Sequence, residues 1–460
     1  MFKSLRIRGL RGFADEQTLE LAVPTGAPGS GLTVLVGSNN AGKSTAIEAL
    51  RALGQHQSPS FTQGRRNLAA GDYVDLRLCT IDNQTAHLHS TRGGSSETII
   101  ECPSEIGELK KRLLVLPSRR AFNPYFGKSE TTRDDYMQHI GFPIARSSAL
   151  DQFTYRLFAI EKNRTEFDRV LSRLLDPVPD WSIDQIDSGQ HFLKISANGT
   201  THSSEGMGEG LVSLLYIVDA LYDSNESHLI AIDEPELSLH PALQRKLSAL
   251  LLEYASTRQI VIATHSPYMV SIEALVQGST LARAHVTDSK TVISQLSHAT
   301  SKLLHGLMRN QNNPHILGVN AQEIFFCADQ VVLMEGQEDI VFLERVQESI
   351  GVRLKGNLLG WGVGGAENMR VFARLLRELG FLKLVGILDD NRSSLASELA
   401  KEFPGFHFFA IQANDIRTKK ARPAVSGVEG LLDEVNMAVR PEFVDDTRIK
   451  FEEANDYLSV

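Results

Sequence analysis

The sequence is 460 residues long, which exceeds one typical domain and predicts two domains with ample length for hydrophobic cores. Hydrophobic residues make up 42% of the chain and charged residues 22%, a balance typical of globular proteins rather than of disordered or fibrous ones. The formal net charge of -9 excludes a polycation that coats nucleic acid nonspecifically, although a local basic groove is compatible with it.

The beginning of the chain and its cysteines bear on localisation. The segment MFKSLRIRGLRGF mixes basic and apolar residues and lacks the continuous apolar core of a secretory signal. No stretch has the length that a membrane span requires. Cys79, Cys102 and Cys327 are far apart and form no close metal-ligand pair, so they are expected to be reduced thiols. We therefore expect a cytoplasmic protein without disulfides and without a membrane partner.

The first hundred residues predict short strands, such as SLRIRG, LTVLVG, VDLRLCTI, AHLHST and ETIIEC, interrupted by one helix. From about 120 to 180 the sequence becomes charged and helix-compatible, as in FDRVLSRLLDPV. We interpret this segment as a helical insertion or dimerisation arm.

From His191 onwards strands alternate with helices, which predicts an α/β fold with parallel strands in a doubly wound sheet. The polar, turn-rich segment RNQNNPHILGVN, 309–320, is the best linker. After it the alternation resumes with QVVLMEG and ends with FHFFAI. The sequence therefore predicts a domain at 1–312 and a smaller α/β domain at 321–460.

Gly37 to Ser44 spells GSNNAGKS between a predicted buried strand and a helix, which matches the phosphate-binding P-loop pattern. In this pattern backbone N–H groups and the helix dipole hold phosphates, Lys43 reaches the outer phosphates and Ser44 offers a hydroxyl to Mg²⁺. The alternative is a glycine-rich turn with a surface lysine. The predicted nucleotide-binding residues of this loop are Gly37, Asn39, Asn40, Gly42, Lys43, Ser44 and Thr45.

The segment LIAIDEPELSLHP predicts a buried strand that ends in two acids. Asp233 is expected to hold Mg²⁺ and Glu234 to polarise the attacking water. These acids could instead cap a helix, but Pro241 already supplies the first helical position. His265 follows the next strand, in VIATHSP, and is expected to sense the γ-phosphate, the alternative being a packed or surface histidine.

The order of GSNNAGKST, SSEGMGEG, IAIDEPELSLHP and IATHSP resembles that of ABC-type ATPases of chromosome maintenance and recombination repair. The resemblance implies ATP and Mg²⁺ as cofactors and head-to-tail dimers that close over two ATP molecules. It places Ser204 and Gly206 in the signature segment that reaches the partner's γ-phosphate. The signature departs from the transporter form, and Gln63 is a candidate for the glutamine that assists Mg²⁺.

The segment VVLMEGQEDIVFLERV looks like the opening of a TOPRIM domain, which carries a glutamate after one strand and an acidic D-x-D after a later one. That resemblance implies Glu335 and, in LVGILDDNRSS, the series Asp389, Asp390 and Asn391, with Asn391 at a position where aspartate is common. Hard oxygen ligands suit Mg²⁺ or Mn²⁺ rather than Zn²⁺. Two such ions support phosphodiester cleavage.

An ABC-type ATPase followed by a TOPRIM domain resembles the overcoming-lysogenization-defect (OLD) family of nucleases along essentially the whole chain. The family's further metal-binding glutamate then corresponds to Glu429, although Ser426 and Glu429 also form a capping-box pattern. Lys450 is a poor match to the late catalytic lysine of the family. Either the domain is trimmed or the positive charge comes from elsewhere.

The resemblance implies an ATP-regulated, metal-dependent DNA endonuclease or nickase in anti-phage defence, with catalytic residues Glu234, His265, Glu335, Asp389 and Asp390. The predicted metal ligands are Ser44, Asp233, Glu335, Asp389, Asn391 and Glu429. The expected partners are DNA, further copies of the chain in a dimer or tetramer, and an accessory protein. The alternative is a regulatory ATPase scaffold whose weak or inactive TOPRIM domain acts through a partner protein.

Overall fold

The computed structural model divides the chain into two compact units, Met1–Gln295 and Leu296–Val460. The predicted linker at 309–320 lies outside the described residues, as do the signature residues Ser204 and Gly206. None of the described helices is both long and apolar enough to cross a membrane. The structure describes residues 1–55, 57–106, 108–120, 127–139, 153–197, 199–203, 207–308, 325–326, 329–419 and 427–459.

The first unit combines α-helices with three β-sheets. Its elements are, in chain order, β1 (Phe2–Arg8), β2 (Gln17–Glu20), β3 (Leu32–Val36), α1 (Lys43–Leu53), β4 (Asp75–Thr80), β5 (Thr85–Ser90), β6 (Thr98–Glu101), α2 (Leu109–Arg112), β7 (Leu113–Leu116), α3 (Arg133–His139), α4 (Phe153–Lys162), α5 (Arg164–Leu171), β8 (Asp180–Gln185), β9 (His191–Ala197), β10 (Thr200–Ser203), α6 (Glu209–Tyr222), β11 (Leu229–Asp233), α7 (Pro241–Tyr254), β12 (Gln259–Ala263), α8 (Ile272–Gln277), β13 (Thr280–Thr287) and β14 (Lys290–Gln295).

The central sheet has the order β14-β13-β3-β12-β11-β7, and all its neighbouring strands are parallel except β14 and β13. Every residue of β3, β11 and β12 is buried, as expected for parallel strands covered on both faces. The predicted parallel α/β sheet is therefore confirmed. Because β3 and β11 both border β12, the loops that follow these three strands meet at one edge.

A second, antiparallel sheet has the order β2-β1-β4-β5-β6. Alternate residues of β4 and β5 are buried, so one face of this sheet packs on the core and the other faces outwards. Helix α1 lies in the same hydrophobic core, where Leu50 and Leu53 join Leu76 and Leu88 of this sheet. The strands predicted in the first hundred residues are confirmed.

The helical insertion expected at about 120–180 contains α3, α4 and α5 among its described residues. These helices pack against α6: the rings of Phe153 and Tyr216 stack with centroids 3.8 Å apart. The three-stranded antiparallel sheet β10-β9-β8 follows them in the chain. The insertion is thus attached to the ATPase core through α6, the helix that follows the predicted signature segment.

The second unit is built around a four-stranded, all-parallel sheet of order β16-β15-β17-β18. The predicted alternation of strands and helices is confirmed. The elements are α9 (His298–Met308), β15 (Val331–Met334), α10 (Gln337–Ile350), β16 (Asn357–Leu358), α11 (Met369–Glu378), β17 (Leu384–Leu388), α12 (Ser393–Glu402), β18 (His407–Ala410) and α13 (Pro441–Ser459).

Two features of the second unit differ from the sequence interpretation. The second unit begins at Leu296, before α9, whereas the sequence placed residues up to 312 in the first domain. Helix α9 is held against α11 by a 2.5 Å hydrogen bond that the Thr300 hydroxyl donates to Glu378. Helix α13, which the sequence interpretation left unassigned, buries Phe451 and Leu458 in the core beneath β15 and β17. Helix α13 is therefore part of the core of the second unit.

Candidate functional site

The P-loop connects β3 to α1 and depends on glycine at two positions. Gly37 has φ +146° and Gly42 has φ +107°, conformations that residues with a side chain rarely adopt. A Cβ atom on Gly37 would lie 2.1 Å from the carbonyl oxygen of Ala284. The loop therefore requires glycine at position 37 to pass β13. Asn40, at φ +61°, is a residue type that tolerates this conformation.

Lys43 is buried at the start of α1. Its Nζ donates hydrogen bonds of 2.9 Å to the carbonyl oxygens of Gly37 and Ser38. Burial lowers the pKa of Lys43 to about 8, while Asp233 acts in the opposite direction. The ammonium group is held inside the loop, where phosphate oxygens could replace the two carbonyl partners.

Ser44 and Asp233 are 189 residues apart in the chain and meet at the sheet edge. The Ser44 hydroxyl donates a 3.0 Å hydrogen bond to Oδ1 of Asp233, which is buried at the end of β11. A hydroxyl beside a carboxylate supplies hard oxygen donors, which fit Mg²⁺ bound to nucleotide phosphates. The structure thus brings the predicted Mg²⁺ ligands of the P-loop site together.

Glu234 and His265 face each other next to this pair. His265 Nε2 lies 3.9 Å from Glu234 Oε1, and the Glu234 N–H donates a 2.7 Å hydrogen bond to the Ala263 carbonyl. Glu234 has φ +50°, which is unusual for a residue with a side chain. Burial, followed by the charge of Lys43, lowers the pKa of His265. A neutral imidazole beside a carboxylate can orient water or phosphate.

Sequence reasoning missed Glu236, which holds His265 in place. Its Oε1 accepts a 2.7 Å hydrogen bond from the backbone N–H of His265. Burial raises the pKa of Glu236, and hydrogen bonds to its carboxylate act in the opposite direction. Its place three residues after Asp233, within DEPE, was the available signal.

Arg120 is a second residue that sequence reasoning missed. This buried guanidinium donates hydrogen bonds of 2.7 and 2.8 Å to the carbonyl oxygens of Asp233 and Glu234, and a further bond of 2.8 Å to the Ser213 hydroxyl on α6. Burial lowers the pKa of Arg120 to about 10, although the nearby acids, Asp233 first, favour its charge. Arg120 therefore fixes the backbone that presents both acids.

The remaining predicted residues of the first site are distributed as follows. Thr45 is buried on α1, and Asn39 is exposed in the loop. Gln63 is exposed in a turn.

The second group of predicted residues lies at the carboxyl edge of the sheet in the second unit. Glu335 directly follows β15 and Asp389 directly follows β17, and these strands are parallel neighbours. The backbone N–H of Asp389 donates a 2.8 Å hydrogen bond to Glu335 Oε1. Burial raises the pKa of Glu335. The structure therefore brings these two predicted residues together.

Two further carboxylates, which sequence reasoning missed, join this pair. Burial, followed by the charges of Asp339, Glu335 and Asp415, raises the pKa of Asp389 to about 8. Asp339 caps α10 by accepting a 2.8 Å hydrogen bond from the Gly336 N–H, and burial raises its pKa to about 6. The acidic cluster is hereafter Glu335, Asp339, Asp389 and Asp415.

Lys419 provides a positive charge beside the acidic cluster. Its Nζ donates to Asp415 and lies 2.9 Å from Glu338 Oε2. The acids around Lys419 raise its pKa despite the opposing effect of its burial. Lys450, the poor match to the family's catalytic lysine, lies on α13, and its Nζ donates a 2.9 Å hydrogen bond to the Ala410 carbonyl. Among the described residues, Lys419 is therefore a lysine that contacts the acidic cluster, through Asp415.

Three predicted residues do not join the acidic cluster. Asp390 is exposed, and its backbone N–H donates a 2.9 Å hydrogen bond to the Ala413 carbonyl. Asn391 is also exposed, and its amide lies 3.5 Å from the Asn414 carbonyl. The Glu429 side chain is 86% exposed and lies 3.9 Å from Arg440.

The donor chemistry of the acidic cluster fits a hard divalent cation such as Mg²⁺ or Mn²⁺. The carboxylates repel each other and are partly desolvated, and a cation would relieve both effects. In the described part of the chain, however, no three acids of this cluster offer ligand atoms within 4.8 Å of one another. Binding a cation would require these side chains to draw closer.

Two family models match the first unit. Residues 4–166 match an AAA domain model, and residues 108–271 match a model described as "AAA domain, putative AbiEii toxin, Type IV TA system". Together with the P-loop between β3 and α1, these matches define the chain as containing an α/β P-loop ATPase domain.

Two relatives match this chain over longer stretches than either family model does. The chain is 24% identical to Septu protein PtuA of Bacillus thuringiensis over 310 residues, which is 60% of this chain and 74% of that protein. It is 25% identical to Endonuclease GajA of Bacillus cereus (strain VD045) over 178 residues, 38% of this chain and only 28% of GajA.

Solved structures show a weaker likeness. The SMC head domain from Thermotoga maritima is similar with a TM-score of 0.36 and 15% identity, over 64% of this chain and 99% of that one. A Pyrococcus furiosus Smc head with an extended coiled coil, bound to the C-terminal domain of ScpA, has a TM-score of 0.35 and 12% identity, over 67% and 99% of the two chains. At these TM-scores the likeness does not bear on function.

Proposed function

We propose that the protein is an ATP-regulated, divalent-metal-dependent DNA endonuclease of the OLD type, with a TOPRIM-like second unit and a role in anti-phage defence. The observation that carries this proposal is the meeting of Glu335 and Asp389 at the carboxyl edge of a parallel sheet. The partial likeness to Endonuclease GajA supports the same chemistry.

The nuclease chemistry rests on the acidic cluster and Lys419. The four carboxylates would hold Mg²⁺ or Mn²⁺, which when bound activates water and steadies the charge of the phosphodiester. The hydrogen bond from the Asp389 backbone N–H to the Glu335 carboxylate fixes the position of this site. Lys419, beside Asp415, offers a cation to the developing negative charge.

The ATPase site supplies regulation rather than energy, because phosphodiester hydrolysis is already downhill in water. Lys43 and Ser44 bind the phosphates and Mg²⁺ with Asp233, while Glu234 positions water and His265 senses the γ-phosphate. ATP would close two copies of the chain head to tail, with Ser204 and Gly206 reaching the partner's nucleotide. We infer a cytoplasmic dimer or tetramer.

One observation favours a second function, a regulatory ATPase scaffold that acts through a partner protein. The acidic cluster does not bring three ligand atoms within 4.8 Å of one another among the described residues. In addition, Asn391 stands where the family pattern has an aspartate. In this alternative the second unit binds a partner, and ATP hydrolysis controls that contact.

A plasmid-nicking assay with Mg²⁺ or Mn²⁺ separates the two functions. Wild-type protein is compared with Glu335→Ala and Lys43→Ala, with and without ATP, and ATP hydrolysis is measured in parallel. We expect metal-dependent nicking that Glu335→Ala abolishes while ATP hydrolysis persists. Lys43→Ala should lose ATP hydrolysis and the effect of ATP on nicking. Intact ATP hydrolysis without cutting under any metal would overturn the nuclease and support the scaffold.

A further inference from the structure

The outer face of the antiparallel sheet carries histidines and acids that neither proposed site uses. Alternate residues of β5 are buried, which places His87 and His89 together on the outer face. The strand register puts Glu101 of β6 opposite His87 and Asp75 of β4 opposite His89. Four potential metal ligands therefore share one face across three neighbouring strands.

The distances among three of these residues suit a small cation. Glu101 Oε1 lies 3.7 Å from His89 Nε2, and Glu101 Oε2 lies 3.9 Å from His87 Nδ1. One ligand atom from each residue lies within 4.8 Å of the other two, which no other trio of histidine, cysteine or acidic residues achieves in the described part of the chain. Ligands of a tetrahedral zinc ion are about 3.4 Å apart, so the pairs through Glu101 need to close by less than ~1 Å.

The hydrogen bonds of His89 leave the nitrogen that faces Glu101 available. His89 Nδ1 lies 3.0 Å from the Ser90 carbonyl oxygen, which only accepts, so Nδ1 carries the hydrogen. The Tyr73 hydroxyl lies 3.0 Å from the same nitrogen, and its ring stacks on His89. In the neutral imidazole Nε2 then directs a lone pair at a carboxylate. That arrangement is unfavourable unless a cation or a proton lies between them.

His87 has the surroundings of a metal-binding histidine on its other side. Its Nε2 is buried and makes no hydrogen bond, while Asp75 Oδ1 lies 3.2 Å away. Arg77 anchors Asp75 through a 3.0 Å ion pair. A carboxylate beside the outer nitrogen orients a zinc-bound histidine and raises its basicity. His87 Nδ1 is thereby left to face Glu101.

We propose that His87, His89 and Glu101 bind one zinc ion on the outer face of this sheet. Two imidazole nitrogens and one carboxylate favour Zn²⁺ over the Mg²⁺ that the P-loop and the acidic cluster would take. Three protein ligands leave the fourth position to water, and Glu101, whose side chain is 65% exposed, keeps the site accessible. The ion ties the edge strand β6 to β5.

Zinc binding is tested on the full-length protein after treatment with a chelator. Millimolar Mg²⁺ is added first to saturate the hard-oxygen sites, and Zn²⁺ is then titrated by calorimetry. Co²⁺ serves as an optical substitute. The ligand variants are Glu101→Gln and His89→Gln. The controls are Glu97→Gln, next to β6, and His202→Gln, an exposed histidine on β10.

We expect one Zn²⁺ per chain in the wild type and both controls, and at least about tenfold weaker binding in both ligand variants. Co²⁺ should give the absorption of a four-coordinate site in the wild type and in both controls, and this absorption should be lost in the two ligand variants. Circular dichroism and ATP hydrolysis establish that each variant is folded. Equal Zn²⁺ binding by the wild type and Glu101→Gln overturns the proposal. An absence of saturable Zn²⁺ binding also overturns the proposal. In that case the two histidines interact with Asp75 and Glu101 by sharing protons.

Discussion

The backbone N–H of Asp389 donates its 2.8 Å hydrogen bond to Oε1 of Glu335, so the main chain of one strand end holds the side chain of the other. A change of the Asp389 side chain leaves this bond in place. The geometry of the strand ends can therefore be separated from the charge of the carboxylate. Asp390, one residue later and exposed, offers a control with the same change of charge.

Asp389→Asn should reduce metal-dependent nicking at least about 100-fold, because the amide brings no negative charge to the cation. Asp390→Asn should retain nicking within about threefold of the wild type, since its side chain lies outside the acidic cluster. Initial rates at saturating Mn²⁺ measure both effects. Equal losses in the two variants would contradict this placement of the site.

The acidic cluster should make the stability of the metal-free protein depend on pH. The pKa of Asp389 is raised to about 8 and that of Asp339 to about 6, both above their values of about 3.9 in an unfolded chain. The contribution of these protonated groups to stability is complete below pH ~4 and is lost as the pH rises to about 8. Relative to the wild type, Asp389→Asn should therefore become progressively more stabilising between pH 5 and pH 8.5.

Urea unfolding at several pH values, with a probe in the second unit, measures this difference in the free energy of unfolding. The same difference for Asp390→Asn should change little with pH. Added Mg²⁺ should stabilise the wild type at pH 8 more than Asp389→Asn, because the ion neutralises the clustered carboxylates. A difference in the free energy of unfolding between Asp389→Asn and the wild type that does not change with pH would show that the clustered carboxylates do not destabilise the protein at high pH.

Part of the acidic cluster could be predicted from the sequence, because acids that directly follow neighbouring parallel strands lie at the same edge of the sheet. Glu335 and Asp389 each follow a continuous apolar strand, and parallel strands bring such positions to one edge. Asp415 also follows a strand, β18, but it stands in the polar loop IQANDIRT after a weaker pattern. Glu429 fitted a family spacing, yet the structure exposes it beside Arg440. The spacing of residues in the sequence does not determine how the loop that carries Glu429 folds.

The P-loop and its acids could be predicted because their signals are local. Lys43 and Ser44 lie within a short motif, and Asp233 ends a buried strand. The role of Arg120 could not be predicted, because its partners Ser213, Asp233 and Glu234 lie 93 to 114 residues further along the chain. Its neighbourhood, PSRRAF, marks neither arginine as buried. Only the packing of β7 beside β11 brings Arg120 to the acids.

Arg120→Met should lower the kcat of ATP hydrolysis about tenfold to hundredfold, because the backbone that presents Glu234 loses two hydrogen bonds and its position. The KM for ATP should change less than threefold, since Lys43 and the P-loop are intact. Arg120→Lys should restore part of kcat. Arg119→Met, which alters the exposed neighbouring arginine, is the control. A rise in KM with unchanged kcat would assign Arg120 to nucleotide binding instead.

Lys419 and Lys450 allow a matched test of the lysine at the acidic cluster. Lys419→Met should slow nicking about tenfold or more, because it removes the cation beside Asp415. Lys450→Met should leave the rate of nicking within about twofold, since Lys450 binds the Ala410 carbonyl from α13. Nicking rates at saturating metal measure both. A larger loss of nicking in Lys450→Met than in Lys419→Met would contradict the role proposed for Lys419.

The helical insertion should be held on the ATPase core by the ion pair of Arg156 on α4 with Asp219 on α6. The two groups are 2.8 Å apart and each side chain is only 3% exposed, whereas Arg173 and Glu253 form a pair in which each is 54% exposed. Arg156→Met should cost about 3–5 kcal/mol, because it leaves a buried carboxylate with fewer partners. Arg173→Met should cost about 0–1 kcal/mol, because water screens that pair. Chemical denaturation of the two variants measures both costs. Similar losses in the two would mean that α4 is held by apolar packing, such as that between Phe153 and Tyr216, rather than by charge.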